Sequence, residues 1–126
     1  MSPQVLIVDD NGATRASLGL TLRAAGYATA EAGDGAQALA FLRAGGPPPA
    51  VVLLDLVMPV MTGWQFLAER AQDKALPAVP VVVLSAVPGI DDDVLRRMGA
   101  EGVIRKPATV AEVLDAVGRR GRAPLG

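Results

Sequence analysis

The chain has 126 residues, 51% of them hydrophobic, so a single domain with one buried core is expected. It lacks cysteine and histidine, which excludes disulfides, thiolate or imidazole metal ligands and a phosphohistidine of its own. A net charge of −1 with 3% aromatic residues argues against a general nucleic-acid surface. No apolar run reaches the length of a membrane span, so we expect a cytoplasmic protein.

Short apolar runs alternate with helical patterns along the whole chain. Three runs are continuous, rich in β-branched residues and too short for helices, which is typical of parallel strands buried on both faces. These are residues 5–8, 51–54 and 81–84. Weaker strand candidates lie at residues 28–30 and 103–104.

Helix start signals and apolar faces lie between these runs. Capping boxes, in which two side chains satisfy each other's free backbone N–H groups, are indicated by Thr62 with Gln65 and Thr109 with Glu112, and more loosely by Asp34 with Gln37. Helical spacing predicts apolar faces on three helices: the first with Leu18 and Leu22, the fourth with Ile90, Val94 and Met98, and the fifth with Val110, Val113, Leu114 and Val117.

Five strand–helix units favour an α/β protein with a parallel sheet and helices on both of its sides. No repeat or linker divides the sequence, so residues 1–126 are predicted to form one domain. We expect its last helix to end at about residue 118, followed by a short basic tail over residues 119–126.

Polar residues follow the predicted strands at their carboxyl ends, where open parallel sheets bind ligands. Asp9 and Asp10 follow the first strand, Asp55 the third, Ser85 the fourth and Lys106 the fifth. Three neighbouring carboxylates repel one another, and a hard divalent cation such as Mg²⁺ would relieve that repulsion. A carboxylate can itself act as a nucleophile toward a phosphoryl group, with a lysine and a hydroxyl contacting the phosphoryl oxygens.

Each of these residues also has an ordinary interpretation. An Asp-Asp pair after a strand is commonly a helix cap, and a single Asp there is commonly a turn residue. A lone lysine is usually a solvated surface residue. Their predicted arrival at one edge of one sheet is what favours the functional interpretation.

The same residues resemble the response-regulator receiver family, also called the CheY-like family, of two-component systems. The resemblance covers essentially the whole chain and rests on Asp9-Asp10, on the stretch from Asp55 through Pro59 to Gly63, and on Ser85-Ala86 and Lys106-Pro107. It implies a flavodoxin-like (βα)5 three-layer sandwich with a five-stranded parallel sheet of order 2-1-3-4-5.

The resemblance also implies a role for each residue at the acidic end of the site. Asp55 corresponds to the phosphoacceptor and a metal ligand. Asp10 corresponds to a direct Mg²⁺ ligand and Asp9 to one that acts mainly through water. The backbone carbonyl of Val57 corresponds to a further ligand.

On the opposite side, Ser85 and Lys106 correspond to the residues that contact the phosphoryl group, with Ala86 beside them. Pro107 is expected to follow a cis peptide bond that aims Lys106 inward. Gly63 and Pro59 correspond to structural positions in the loop before the third helix, where a side chain at Gly63 would crowd the turn.

Two features of the sequence bear on signalling. Family members commonly carry Tyr or Phe where this chain has Val103, and the ring reports phosphorylation at the face of the fourth helix, fifth strand and fifth helix. Because Val103 has no ring, the sequence does not predict how phosphorylation would be reported at this face. Val57 and Val87, two residues after Asp55 and Ser85, are apolar, and we hypothesise that they shield the acyl phosphate and lengthen its life.

The predicted function is a phosphoacceptor that takes a phosphoryl group from a sensor histidine kinase or a phosphotransfer protein. It would then change conformation to control a downstream protein through the face just described, without binding nucleic acid or a membrane and without acting as a metabolic enzyme. Two alternatives stay open: a docking module that keeps the fold without using phosphorylation, and a phosphatase of the haloacid-dehalogenase type. The phosphatase family uses an Asp-x-Asp pattern after its first strand, which Asp9-Asp10-Asn11 does not fit.

Overall fold

A computed structural model describes residues 3–120 and alternates strand and helix five times. The strands are β1 (Gln4–Val8), β2 (Ala28–Ala32), β3 (Val51–Asp55), β4 (Val81–Ser85) and β5 (Gly102–Arg105). The helices are α1 (Gly12–Ala24), α2 (Gly35–Arg43), α3 (Gly63–Gln72), α4 (Asp92–Arg97) and α5 (Val110–Arg120). All five predicted strands are therefore confirmed, with β2 and β5 longer than the weak patterns indicated.

The strands form one parallel sheet in the order β2-β1-β3-β4-β5, which confirms the flavodoxin-like architecture. Strand order reverses between β1 and β3, the place where such sheets bind ligands. The register pairs Val8 with Leu54 and Ser85 with Arg105. The carboxyl ends of β1 and β3, and those of β4 and β5, are therefore level with each other.

Two apolar clusters cover the two faces of the sheet, because successive side chains of a strand point to opposite sides. One cluster includes Leu6, Val8, Val52 and Leu54 of the strands together with Leu39, Phe66, Leu67 and Leu95 of the helices. The other includes Val5, Ile7 and Leu53 together with Leu22, Val113 and Val117. These layers fix the strand ends that carry the polar residues.

The predicted helix caps are confirmed by hydrogen bonds. The Asp34 carboxylate accepts from the Gln37 N–H at 2.9 Å. Reciprocal capping boxes join Thr62 to Gln65 and Thr109 to Glu112. Each cap satisfies N–H groups that the first helical turn leaves without partners.

The apolar face predicted for α4 is wrong in detail. Ile90 lies before the helix, and Val94 is 40% exposed, whereas Leu95 is fully buried. The helix has only six residues, so the packing of one side chain decides which way it faces. Val113 and Val117 anchor α5, while Val110 in its first turn is exposed.

Helix α5 continues to Arg120, two residues beyond the predicted end near 118. The rest of the predicted basic tail, residues 121–126, lies outside the described residues. No helix within residues 3–120 is both long enough and apolar enough to cross a membrane.

Candidate functional site

Three carboxylates meet at the carboxyl edge of the sheet. The β1–β3 register pairs Val8 with Leu54, so the residues that follow them, Asp9 and Asp55, are neighbours. One carboxylate oxygen from each of Asp9, Asp10 and Asp55 lies within 4.8 Å of the other two. Asp9 is buried and Asp55 nearly so, whereas Asp10 is exposed. The edge thus concentrates negative charge in a site with one side open to solvent.

Lys106 reaches the same cluster from the end of β5. Its ammonium Nζ lies 3.0 Å from Asp9 Oδ2 and 3.9 Å from Asp55 Oδ2. The Lys106 N–H donates to the Ser85 carbonyl at 2.8 Å, which ties the loop after β5 to the end of β4. The Lys106–Pro107 bond is cis, as the resemblance implied. The structure therefore brings the predicted lysine to the predicted carboxylates.

Ser85 and Ala86 lie at the end of β4, next to this cluster. Ser85 is buried, and its hydroxyl Oγ accepts from the Val87 N–H at 3.0 Å. It makes no hydrogen bond to the Asp55 carboxylate. Ala86 is exposed and lines an open groove with Lys106 and Pro107.

Burial raises the pKa of Asp55 above the ordinary carboxyl value. The positive charge of Lys106 opposes this increase, as do the backbone N–H groups of Leu56 and Val57, while the negative charge of Asp9 adds to it. Loss of solvation is the largest of these effects, so the net change in the pKa of Asp55 is an increase. A bound cation would favour the ionised carboxylate, which is the nucleophilic form.

Gly63 closes the loop between β3 and α3 directly against the end of β3. Its N–H donates to the Leu56 carbonyl at 2.9 Å. A Cβ at this position would lie 2.4 Å from the Asp55 carbonyl oxygen and 2.8 Å from Leu56 Cα. Both neighbours are backbone atoms that cannot rotate away, so this position requires glycine.

The same loop turns sharply after Pro59. Val60 has a φ of 67°, and the Met61 N–H donates to the Pro59 carbonyl across it at 2.7 Å. A β-branched residue is rarely found in this conformation. Val57, at the start of the loop, is 57% exposed. The metal-binding role of its carbonyl stays a prediction.

Two residues near the site, Asn11 and Arg15, make contacts with Asp9 that the sequence did not predict. The Asn11 N–H donates to Asp9 Oδ1 at 2.9 Å, and its side chain caps α1. Arg15 donates from Nη1 to the Asp9 backbone carbonyl at 2.6 Å and from Nε to Glu31 Oε1 at 2.9 Å. An Asn before a helix is a recognisable N-cap signal in sequence. No sequence pattern, however, predicts a hydrogen bond from the Arg15 side chain to the backbone carbonyl of Asp9, six residues away.

The donor set suits a hard divalent cation. Carboxylate oxygens are the ligands that Mg²⁺ prefers, and the three here are close enough to share one ion. They lie at a sheet edge with an exposed member, so an ion can enter from solvent. Asp9, Asp10 and Asp55 could therefore hold Mg²⁺.

Val103, at the position where an aromatic residue is common in the resembling family, is partly buried. It packs against the cluster that contains Leu95 and Phe66. β5 thus carries an aliphatic side chain at this position, packed against the core.

Comparison with known proteins gives consistent results. A family model described as the response regulator receiver domain matches residues 5–118. The transcriptional regulatory protein PrrA of Mycobacterium tuberculosis is 42% identical over 118 residues, which is 92% of this chain and 48% of that protein. The DNA-binding response regulator MtrA of the same species is 37% identical over 123 residues, or 97% of this chain and 52% of that protein. The chain spans about half the length of these curated relatives.

Among solved structures, the chemotaxis protein CheY4 of Vibrio cholerae superposes with a TM-score of 0.78 at 31% identity. The match covers 95% of this chain and 99% of that one.

Proposed function

Because the chain belongs to the response regulator receiver domain family and is thus a two-component signalling module, we propose that it takes a phosphoryl group from a phosphohistidine donor onto Asp55. One observation carries the proposal. Asp55 lies in a cluster with two further carboxylates, and the Lys106 ammonium is 3.9 Å from its Oδ2. A nucleophile, a metal-binding acidic pair and a cation for the phosphoryl oxygens are therefore within reach of one phosphoryl group.

In the proposed step, a carboxylate oxygen of Asp55 attacks the phosphorus atom of the donor. The new O–P bond forms as the N–P bond breaks, and the electron pair of that bond returns to the donor imidazole. Asp55 must be ionised to attack, and burial opposes ionisation by raising the pKa of Asp55. Lys106 favours the ionised form and is placed to contact a phosphoryl oxygen once it leaves Asp9.

Asp9, Asp10, Asp55 and the Val57 backbone carbonyl are the groups that would hold Mg²⁺. When bound, the ion would offset the charge of the carboxylates and of the incoming phosphoryl oxygens. The Asn11 N–H already orients Asp9 through Oδ1, whereas Lys106 occupies Oδ2 and would have to release it to the ion. The hydroxyl of Ser85 accepts from the Val87 N–H through a lone pair, so its own hydrogen stays available to donate to a phosphoryl oxygen.

The proposed donor is a sensor histidine kinase or a phosphotransfer protein, and the proposed output is contact with a downstream protein through α4, β5 and α5. PrrA and MtrA are named for transcriptional regulation and DNA binding. We propose that this domain itself does not contact nucleic acid, because its 12 basic and 13 acidic residues provide no positive excess. It would act as a stoichiometric acceptor and not as a metabolic enzyme.

Intact mass spectrometry after incubation with acetyl phosphate and Mg²⁺ tests the proposal. We expect one added phosphoryl group on the wild type and none on Asp55→Asn. A folded wild type that never gains a phosphoryl group from any donor would contradict the proposal and favour a docking module, an alternative that Val103 keeps open. Repeated release of phosphate from p-nitrophenyl phosphate would instead indicate a phosphatase.

A further inference from the structure

Arg15 on α1 joins two strand ends beside the acidic cluster. Its guanidinium donates from Nη1 to the backbone carbonyl of Asp9 at 2.6 Å and from Nε to Glu31 Oε1 at 2.9 Å. Glu31 belongs to β2, next to β1 in the sheet. Arg15 is mostly buried, with 23% of its side chain exposed. One planar group thus links the loop after β1 to the adjacent strand.

The carbonyl that Arg15 holds belongs to the peptide bond between Asp9 and Asp10. Since a peptide unit is planar, fixing this oxygen fixes the direction from which the Asp10 backbone starts. Within residues 3–120, the Asp10 carboxylate has no hydrogen-bond or ion-pair partner of its own. Its position therefore depends on its backbone.

Asp9 differs in this respect. Its two carboxylate oxygens are held by the Asn11 N–H and by Lys106, and its N–H donates to the Ala32 carbonyl at 3.1 Å. The two acidic residues of the pair are thus oriented by different means.

We propose that Arg15 is a positioning residue that presents Asp10 to a divalent cation by holding the Asp9 carbonyl against β2. This inference rests on the proposed function, because it assumes that the acidic cluster binds Mg²⁺ or a similar ion. Arg15 contacts a carbonyl and leaves the carboxylate oxygens of the cluster for the metal. Lys106, by contrast, occupies Asp9 Oδ2 directly.

We expect Arg15 to influence the metal site through the geometry of its hydrogen bonds more than through its charge. The Glu31 carboxylate pairs with the guanidinium at 2.9 Å, so the pair presents little net charge to the cluster. The two bonds leave from different nitrogens of one rigid fork, an arrangement that a lysine cannot reproduce. Arg15→Lys should therefore behave more like Arg15→Ala than like the wild type.

Mn²⁺ binding to the full chain, followed by the electron paramagnetic resonance signal of the free ion, tests this inference without measuring phosphorylation. We expect Arg15→Ala to weaken Mn²⁺ binding by about tenfold, the lower end of the effect seen when groups that orient metal ligands are removed. Glu31→Gln, which loosens the other end of the link, should weaken it by a smaller factor.

Arg23→Ala is the matched control. Arg23 lies on the same helix and also bridges to β2, donating from Nη1 to Thr29 Oγ1 at 2.8 Å, but it does not touch the loop of Asp9 and Asp10. We expect its Mn²⁺ affinity to stay within about twofold of the wild type, since it holds no group of the metal site. Thermal unfolding in EDTA checks that all variants are folded.

The outcomes separate this inference from the proposed function. Normal Mn²⁺ affinity in Arg15→Ala, with binding lost in Asp10→Asn, would overturn the role of Arg15 and leave the metal site intact. Equal weakening in Arg15→Ala and Arg23→Ala would also overturn it, since a general loosening of α1 would then suffice. A wild type that binds no Mn²⁺ would overturn both.

Discussion

Replacing Gly63 with alanine should destabilise the protein through backbone contacts alone. The new Cβ would lie 2.4 Å from the Asp55 carbonyl oxygen and 2.8 Å from Leu56 Cα, and neither atom belongs to a side chain that can rotate away. Either α3 or the end of β3 must therefore shift, which weakens the bond from the Gly63 N–H to the Leu56 carbonyl. Overpacking of this kind costs about 2 kcal/mol.

Urea unfolding followed by circular dichroism measures this loss. With a slope of about 2 kcal/mol/M for a domain of this size, the loss lowers the urea midpoint by about 1 M. Gly46→Ala is the control, because a Cβ at Gly46 meets no atom within 4 Å and its φ is not in the left-handed region. Equal midpoints for the Gly63→Ala and Gly46→Ala variants would refute the steric reasoning.

Three further predictions concern the site itself. Because burial raises the pKa of Asp55, the stability that its protonated form contributes is lost as pH rises through that pKa. Asp55→Asn should therefore unfold at a higher temperature than the wild type near pH 7 in EDTA. The difference between their unfolding temperatures should vanish at a pH below the ordinary carboxyl pKa of about 3.9. Lys106→Met should strengthen Mg²⁺ binding in calorimetric titrations by up to about fivefold, because the ion no longer has to displace an ammonium from Asp9. The ion pair between Lys106 and Asp9 is partly exposed and worth up to about 1 kcal/mol. An unchanged Mg²⁺ affinity would argue against this competition. Val57→Asn should shorten the life of the phosphorylated state, measured as phosphate loss after donor removal, because an exposed amide at this position can orient water; equal lifetimes would dispose of the shielding hypothesis.

The elements of the fold were predictable where local chemistry decides them. Continuous β-branched runs marked β1, β3 and β4, since strands buried on both faces need apolar residues at every position. The boxes of Thr62 and Thr109 marked the starts of α3 and α5 because a cap is a bond between near neighbours in sequence. Strand order has no such local signature, and here it came from the resemblance to a known family.

The errors arose where tertiary packing decides. Val94 and Val110 fit an apolar helical spacing, yet both are exposed, while Leu95 packs into the core. In a helix of six residues, periodicity cannot be read over even two full turns, so contacts with the sheet determine which face is buried. Arg15 was missed for a related reason, because its partner at Asp9 is a backbone carbonyl that every residue possesses.

The charges at the sheet edge explain why the proposed chemistry needs a divalent ion and not merely any cation. With all groups ionised, Asp9, Asp10 and Asp55 carry three negative charges, and Lys106 returns only one positive charge. A phosphoryl group adds further negative charge at the same place, so without a metal its approach would be repelled, and the same negative charge would oppose ionisation of Asp55. A divalent cation balances the remaining charge of the cluster, whereas a monovalent ion leaves an excess of negative charge.

We infer that metal binding and ionisation of Asp55 are coupled, so Mg²⁺ affinity should fall as pH is lowered through the raised pKa of Asp55. A calorimetric titration that gave the same affinity at all pH values across that range would remove the basis for this coupling.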